Sequence, residues 1–225
     1  MNSKPDFKRS YISANEILVS SSVIQTFPFS PIDLVREQSD IVCRSYRKAR
    51  KYGVEIADLG SKSAIIVMYG DKSIIFYDET KPRPHVTYSI IHEFGHYKED
   101  HDFNKKDEES YHKFEIEANF FAAQLLMPEQ IIRELQHRGI KIDCLTLQKI
   151  FGVSAQAANK RIETLAKTNI EWHSRAEKEF DDLILYRYAN FLNKICPENY
   201  CFDFEGEIIC QRTRNEWLYQ DRKGW

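Results

Sequence analysis

The chain has 225 residues, with 32 Lys+Arg against 34 Asp+Glu, a formal net charge of −2 and 42% hydrophobic content. That near balance excludes bulk electrostatic attraction to nucleic acid or a membrane surface, and no run approaches the roughly 18 apolar residues of a membrane span. Five cysteines, with nothing at the N-terminus that reads as an export signal, point to reduced thiols and a soluble protein in the cytoplasm.

Residues 1–30, rich in Ser, Asn and Pro, read as a loosely held arm, with one short docked segment around Ile17 to Ile24. From Pro31, the residues Ile32, Val35, Ser39, Val42, Tyr46 and Ala49 fall at helical spacing, and Gly53 stops the run; this predicts one helix of about five turns, with Cys43 in its core face. Ser63 to Tyr69 and Ser73 to Tyr77 are dense in β-branched and aromatic residues around Gly70-Asp71-Lys72, which predicts a hairpin. Lys81-Pro82-Arg83-Pro84 reads as an extended connector, after which Thr87 or Ser89 caps the next helix.

That helix carries His92-Glu93-Phe94-Gly95-His96. Residues four apart on a helix stand one above the other, so His92 and His96 can offer two imidazole nitrogens to one metal ion. Glu93 can reach a water activated at that ion and take its proton, which is the residue set of a zinc-dependent hydrolase. Gly95 inside the helix costs about 1 kcal/mol relative to alanine, and its missing side chain would let another backbone or a substrate come close.

A charged loop follows over residues 98–109, then a helix from Tyr111 to Met127 that Ser110 can cap. Catalytic zinc sites usually keep three protein ligands, so a third must come from an element packed on the motif helix. The Tyr111 to Met127 helix has the apolar stripe Phe114, Ala118, Phe121 and Leu125, with Glu117 to one side and Glu115 to the other. The two carboxylates point apart, at most one reaches the metal, and periodicity alone does not choose between them. His101 and His112 are weaker candidates, and Tyr88, Tyr111 and His112 are candidate donors to a developing oxyanion.

Glu129 to Arg138 reads as a further helix stopped by Gly139, and Asp143 to Ile150, a turn at Gly152 and Ala155 to Leu165 as helix, turn, helix. Phe180, Leu183, Ile184, Tyr186, Tyr188 and Leu192 mark a last helix, followed after Pro197 by a tail with a hairpin turning at Gly206. The functional reading of Leu147 to Leu165 is DNA contact by Gln156, Asn159, Lys160 and Arg161. Lys149, Lys160 and Arg161 against Glu163 leave it only +2, which favours instead a helical hairpin packed on the core or receiving a protein partner. Cys196, Cys201 and Cys210 lack the paired spacing of a zinc ribbon and read as structural thiols.

His92-Glu93-Phe94-Gly95-His96, followed by Glu117-Ala118-Asn119-Phe120-Phe121-Ala122-Ala123-Gln124-Leu125-Leu126-Met127-Pro128, resembles the ImmA/IrrE family of metallopeptidases. The resemblance covers roughly Ile32 to Leu165. It implies an α+β, mainly helical zincin-like core with a small β-sheet over 31–140, followed by a helix-turn-helix-like segment over 141–170 and an extension over 171–225. It further implies a Zn²⁺ held by His92, His96 and Glu117, with Glu93 as catalytic base. Where family members continue with a leucine-rich segment ending in histidine, this chain reads Tyr97-Lys98-Glu99-Asp100-His101. The expected activity is cleavage of a regulatory protein substrate, a helix-turn-helix repressor of a mobile element or stress response. The alternatives are a non-catalytic DNA- or protein-binding regulator, or one partner of a toxin–antitoxin-like pair.

Overall fold

The computed structural model describes residues 4–55, 62–70, 72–101, 108–168 and 173–197. Its order is α1 (Phe7–Ser20), α2 (Pro31–Gln38), β1 (Val42–Ser45), α3 (Tyr46–Ala49), a 3₁₀ turn (Arg50–Tyr52), β2 (Ala64–Tyr69), β3 (Lys72–Tyr77), α4 (Arg83–Lys98), α5 (Glu108–Leu126), α6 (Glu129–His137), α7 (Cys144–Phe151), α8 (Ala155–Leu165), α9 (Arg175–Arg187) and α10 (Ala189–Ile195). A mainly helical α+β architecture results, with one small mixed sheet in the order β1-β3-β2. No helix among the described residues is long and apolar enough to cross a membrane.

The N-terminal segment is not a loose arm. Asp6 caps α1 by accepting from the Arg9 N–H (3.0 Å), and Tyr11, Ala14, Ile17 and Leu18 are buried against α5 and α9. Ser10 and Asn15 are buried on the same helix, and Asn15 accepts from Gln124 (2.8 Å); small polar residues inside the buried face hide its period in the sequence. Further on, the Phe27 ring meets those of Phe29, Phe151, Tyr188 and Phe191 at centroid distances of 5.3–5.9 Å, joining this segment to α7 and to the α9–α10 corner. One buried cluster therefore runs from Ala14 to Leu192.

The five-turn helix expected from Pro31 is also corrected. Pro31 opens α2, capped by Ser30, but the helix ends at Gln38 because the chain turns extended at Ser39 (φ −165°, ψ 170°). Val42–Ser45 then pairs in parallel with Ile74–Tyr77, and Cys43 sits half-buried on that strand. Ile32, Val35 and Val42 fit a helical period across this break because a helix and a short buried strand both place apolar residues at close intervals.

The hairpin forms where expected, Ala64 opposite Tyr77 and Tyr69 opposite Lys72, leaving β2 as an edge. Helix α4 starts earlier than expected. Pro82 is its N-cap and Pro84 lies in the first turn, where a missing N–H costs nothing, so Thr87 and Ser89 are interior rather than capping residues. Gly139 and Gly152 end α6 and α7 with positive φ, and Ser154 caps α8 by accepting from the Ala157 N–H (3.2 Å). The last helix breaks at Tyr188, whose hydroxyl donates to the carbonyls of Leu18 and Ile24. The hairpin expected at Gly206, Cys201 and Cys210 lie outside the described residues, as do residues 102–107 of the charged loop.

At the centre, α4 crosses α5 closely. A Cβ on Gly95 would stand 2.9 Å from Phe121 Cδ1 and 3.3 Å from the Ala118 carbonyl oxygen. Gly95→Ala gains helix propensity but overpacks this crossing, for a net loss of about 1 kcal/mol in unfolding free energy, read by denaturant titration. A second stability test concerns Glu37 on α2. Its slight burial works to raise its pKa, but bonds from the Ser21 hydroxyl, the Ser22 hydroxyl and the Ser22 N–H hold it down to about 2. A lowered carboxyl pKa adds stability above its ordinary value of 4.5, lost as pH falls through about 2. Thermal melts should therefore show Glu37→Gln less stable than the parent at pH 7, with the gap closing toward pH 2.

Candidate metal centre

Helix α4 presents His92 and His96 one turn apart, with their Nε2 atoms 3.1 Å from each other. Across the crossing, Glu115 of α5 brings Oε2 to 3.3 Å from His92 Nε2 and Oε1 to 3.4 Å from His96 Nε2. A tetrahedral site with bonds of about 2.0–2.1 Å separates its donor atoms by about 3.3–3.4 Å. Two imidazoles and a carboxylate at these spacings could hold a metal ion, and their chemistry suits zinc. The bonds to His92 and then to His96 hold the Glu115 carboxyl well below the usual carboxylate range, against its partial burial. His92 Nδ1 is buried with no partner among the described residues.

Glu117, the ligand implied by the resemblance, is placed elsewhere. Its Oε1 accepts from the Asp6 N–H (2.5 Å) and its Oε2 lies 3.2 Å from His101 Nε2. The two carboxylates do point apart around α5: Glu115 faces the two motif histidines, and Glu117 faces the start of α1 and the end of α4. His101 is brought back beside the motif, with Nδ1 2.9 Å from His96 Nδ1. Burial pushes its imidazole down to about 3, with the neighbouring His96, Arg9, Lys113 and His92 acting in the same direction.

Glu93 is 8% exposed and turns to the edge strand, where its Oε2 accepts from the Ile66 N–H (3.0 Å). Burial raises its pKa, opposed by His92, His96, the Ile66 N–H and Lys62. A carboxylate with a raised pKa is a better proton acceptor, as a general base working near neutral pH requires. Neither the Ile66 N–H nor Lys62 was legible in the sequence, since no residue type marks a backbone donor on a strand edge.

Of the candidate oxyanion donors, Tyr88 is committed to Asn119, its hydroxyl lying 3.1 Å from Oδ1 and 3.3 Å from the carbonyl oxygen. Tyr111 stands exposed one turn before Glu115, with the Lys62 ammonium 5.9 Å from its ring centroid, and His112 is exposed. Tyr88 and Asn119, each one turn from a site residue, also line a groove of 1270 Å³ that runs past Phe7, Ile116 and Phe120 to Gln156 and Lys160 of α8.

Helix α8 does not present the four candidate DNA-contacting residues together. Gln156, Asn159 and Lys160 are exposed, but Arg161 is 1% exposed and donates to the Met127 carbonyl (3.0 Å) and to Gln124 Oε1 (2.5 Å). Its guanidinium is a core strut holding α8 to the end of α5. Leaving a buried acceptor unsatisfied costs about 1–3 kcal/mol, so Arg161→Met, which strips the donor from two of them, should lower the unfolding free energy by at least about 1–3 kcal/mol in a denaturant titration.

A helix bearing two histidines one turn apart with a buried glutamate between them, crossed by a helix supplying a carboxylate, defines a site of the metallopeptidase type. The family model described as IrrE N-terminal-like domain, Peptidase_M78, matches residues 49–163, and the chain belongs to this ImmA/IrrE family. No curated protein and no solved structure matches the chain.

Proposed function

We propose that the chain is a zinc-dependent endopeptidase in which His92, His96 and Glu115 hold the ion and Glu93 is the catalytic base. The observation that carries this reading is the approach of the His92 and His96 Nε2 atoms to each other (3.1 Å) and to one oxygen each of Glu115 (3.3 and 3.4 Å), beside a buried glutamate of raised pKa. Glu115 is preferred to Glu117 as third ligand because only Glu115 reaches both histidines, while Glu117 is engaged with Asp6 and His101. Zinc would supply an acidified water and an electrophilic contact for the scissile carbonyl.

The chain's own groups account for the proton traffic. Ile66 fixes one oxygen of Glu93, which leaves the other to take a proton from the attacking water and deliver it to the departing amine. Hydrolysis then consumes one water and yields a carboxylate and an amine. The outer edge of β2, which pairs with no further strand among the described residues, suits an extended substrate segment, since strand addition supplies main-chain hydrogen bonds without regard to side chains. The 1270 Å³ groove beginning at Tyr88 and Asn119 offers room for the remainder of a protein substrate.

The family resemblance directs the activity to a regulatory protein, a helix-turn-helix repressor encoded beside the peptidase, in the cytoplasm. The free Cys43, Cys144 and Cys196 suit a reducing compartment. A general base contributes about 10²–10⁴-fold, so Glu93→Gln should cut repressor cleavage by at least about 100-fold while zinc still binds. Gel analysis of a co-incubation with and without chelator checks this. Cleavage by the variant at the parental rate, or cleavage insensitive to chelator, would contradict the reading.

A further inference from the structure

Helix α4 ends in a turn that reaches back to the site. The His101 N–H donates to the His96 carbonyl (3.1 Å) and the Asp100 N–H to the Tyr97 carbonyl (3.2 Å), which is the paired bonding of a Schellman motif. The motif needs a left-handed residue before its last donor, and Asp100 fills that position at φ 55°. Asp is among the few non-glycine residues that visit this region routinely. The turn folds the His101 ring against His96 (centroids 5.1 Å) and flat on Phe114 (4.4 Å, interplanar 17°).

An ion shared by His92, His96 and Glu115 would set the hydrogen-bond directions in turn. With His96 Nε2 given to that ion, its proton would lie on Nδ1, which faces His101 Nδ1 at 2.9 Å. His101 Nδ1 would then accept, its proton would lie on Nε2, and Nε2 faces Glu117 Oε2 at 3.2 Å. Glu117 is itself set by the Asp6 N–H at the start of α1, and Arg9 of α1 donates to the Glu99 carbonyl (2.7 Å) beside the turn. Both tethers come from a helix outside residues 49–163.

We propose that His101 and Glu117 are positioning residues that fix the tautomer and ring orientation of His96, so that this chain holds its metal through a histidine–histidine–carboxylate relay. The proposal rests on the reading of Glu115, not Glu117, as third ligand. Partners behind a metal-binding imidazole keep it in the ligating tautomer and raise its basicity, and their loss typically costs 10–100-fold in affinity.

The test is competition between the metal-free protein and a chromophoric chelator for Zn²⁺ alone, with the Co²⁺ absorption spectrum recorded in parallel. His101→Ala and Glu117→Gln should each bind one equivalent 10–100-fold more weakly than the parent. The double variant should be no weaker than the weaker single, because both changes cut one chain. His101→Asn, whose amide oxygen can accept from His96 Nδ1, should recover part of the loss, and Asp100→Gly should leave affinity unchanged. Melting curves of the metal-free variants separate general destabilisation, which the Asn variant would not reverse selectively in metal affinity.

Glu115→Ala distinguishes the two failures. If it abolishes binding while His101→Ala and Glu117→Gln bind as the parent does, the relay is overturned and the ligand set stands. If Glu115→Ala binds normally and Glu117→Gln abolishes binding, Glu117 is a ligand and both ideas fall.

Discussion

Everything at this site depends on how closely α4 and α5 cross at Gly95. With no Cβ there, Ala118 and the Phe121 ring come so close that a side chain would force them to shift. This approach sets the rotation of α5 relative to the motif histidines. It turns Glu115 toward His92 and His96 and Glu117 toward His101. Two glutamates two residues apart therefore take different posts on the same helix, one against the Nε2 atoms of the motif histidines and one behind them.

Burial then gives each acidic group its character. Glu93 is desolvated, which raises its pKa against the opposing strand N–H, whereas Glu115 meets two imidazoles and is held low. Two carboxylates of opposite acid–base character are thus made from the same side chain by environment alone. The polar residues buried elsewhere are structural. Arg161, Gln124, Asn15, Gln130, Tyr11 and Asp181 form a connected network joining α1, α5, α6, α8 and α9. That network ties the helix-turn-helix-like pair into the body of the protein and withdraws Arg161 from the surface.

Much of the site was legible because its signals are local. The HExxH spacing, the glycine at the crossing and the Ala118-Asn119-Phe120-Phe121 helix each follow from helical geometry within a few residues. So do the hairpin around Gly70 and the turn at Gly152, whose positive-φ glycines announce themselves. What was not legible depended on distant partners. Helix α1 hides because Ser10 and Asn15 are buried polar residues satisfied only by other segments. Strand β1 hides because four residues are too few to show alternation, and their pairing lies 32 residues downstream, Val42 with Ile74. The choice between Glu115 and Glu117 required the rotation of α5, which no periodicity supplies. His101 could have been inferred from Asp100, a left-handed-tolerant residue two positions after the last helical turn.

The claim that α5 supplies the third metal ligand through Glu115 is tested most directly by crystals of the zinc-loaded protein and an anomalous difference map at the zinc edge. The account predicts one peak about 2.0–2.1 Å from His92 Nε2, His96 Nε2 and a Glu115 oxygen, with Glu117 still on His101. A peak bound to Glu117, or none beside the two histidines, would contradict it.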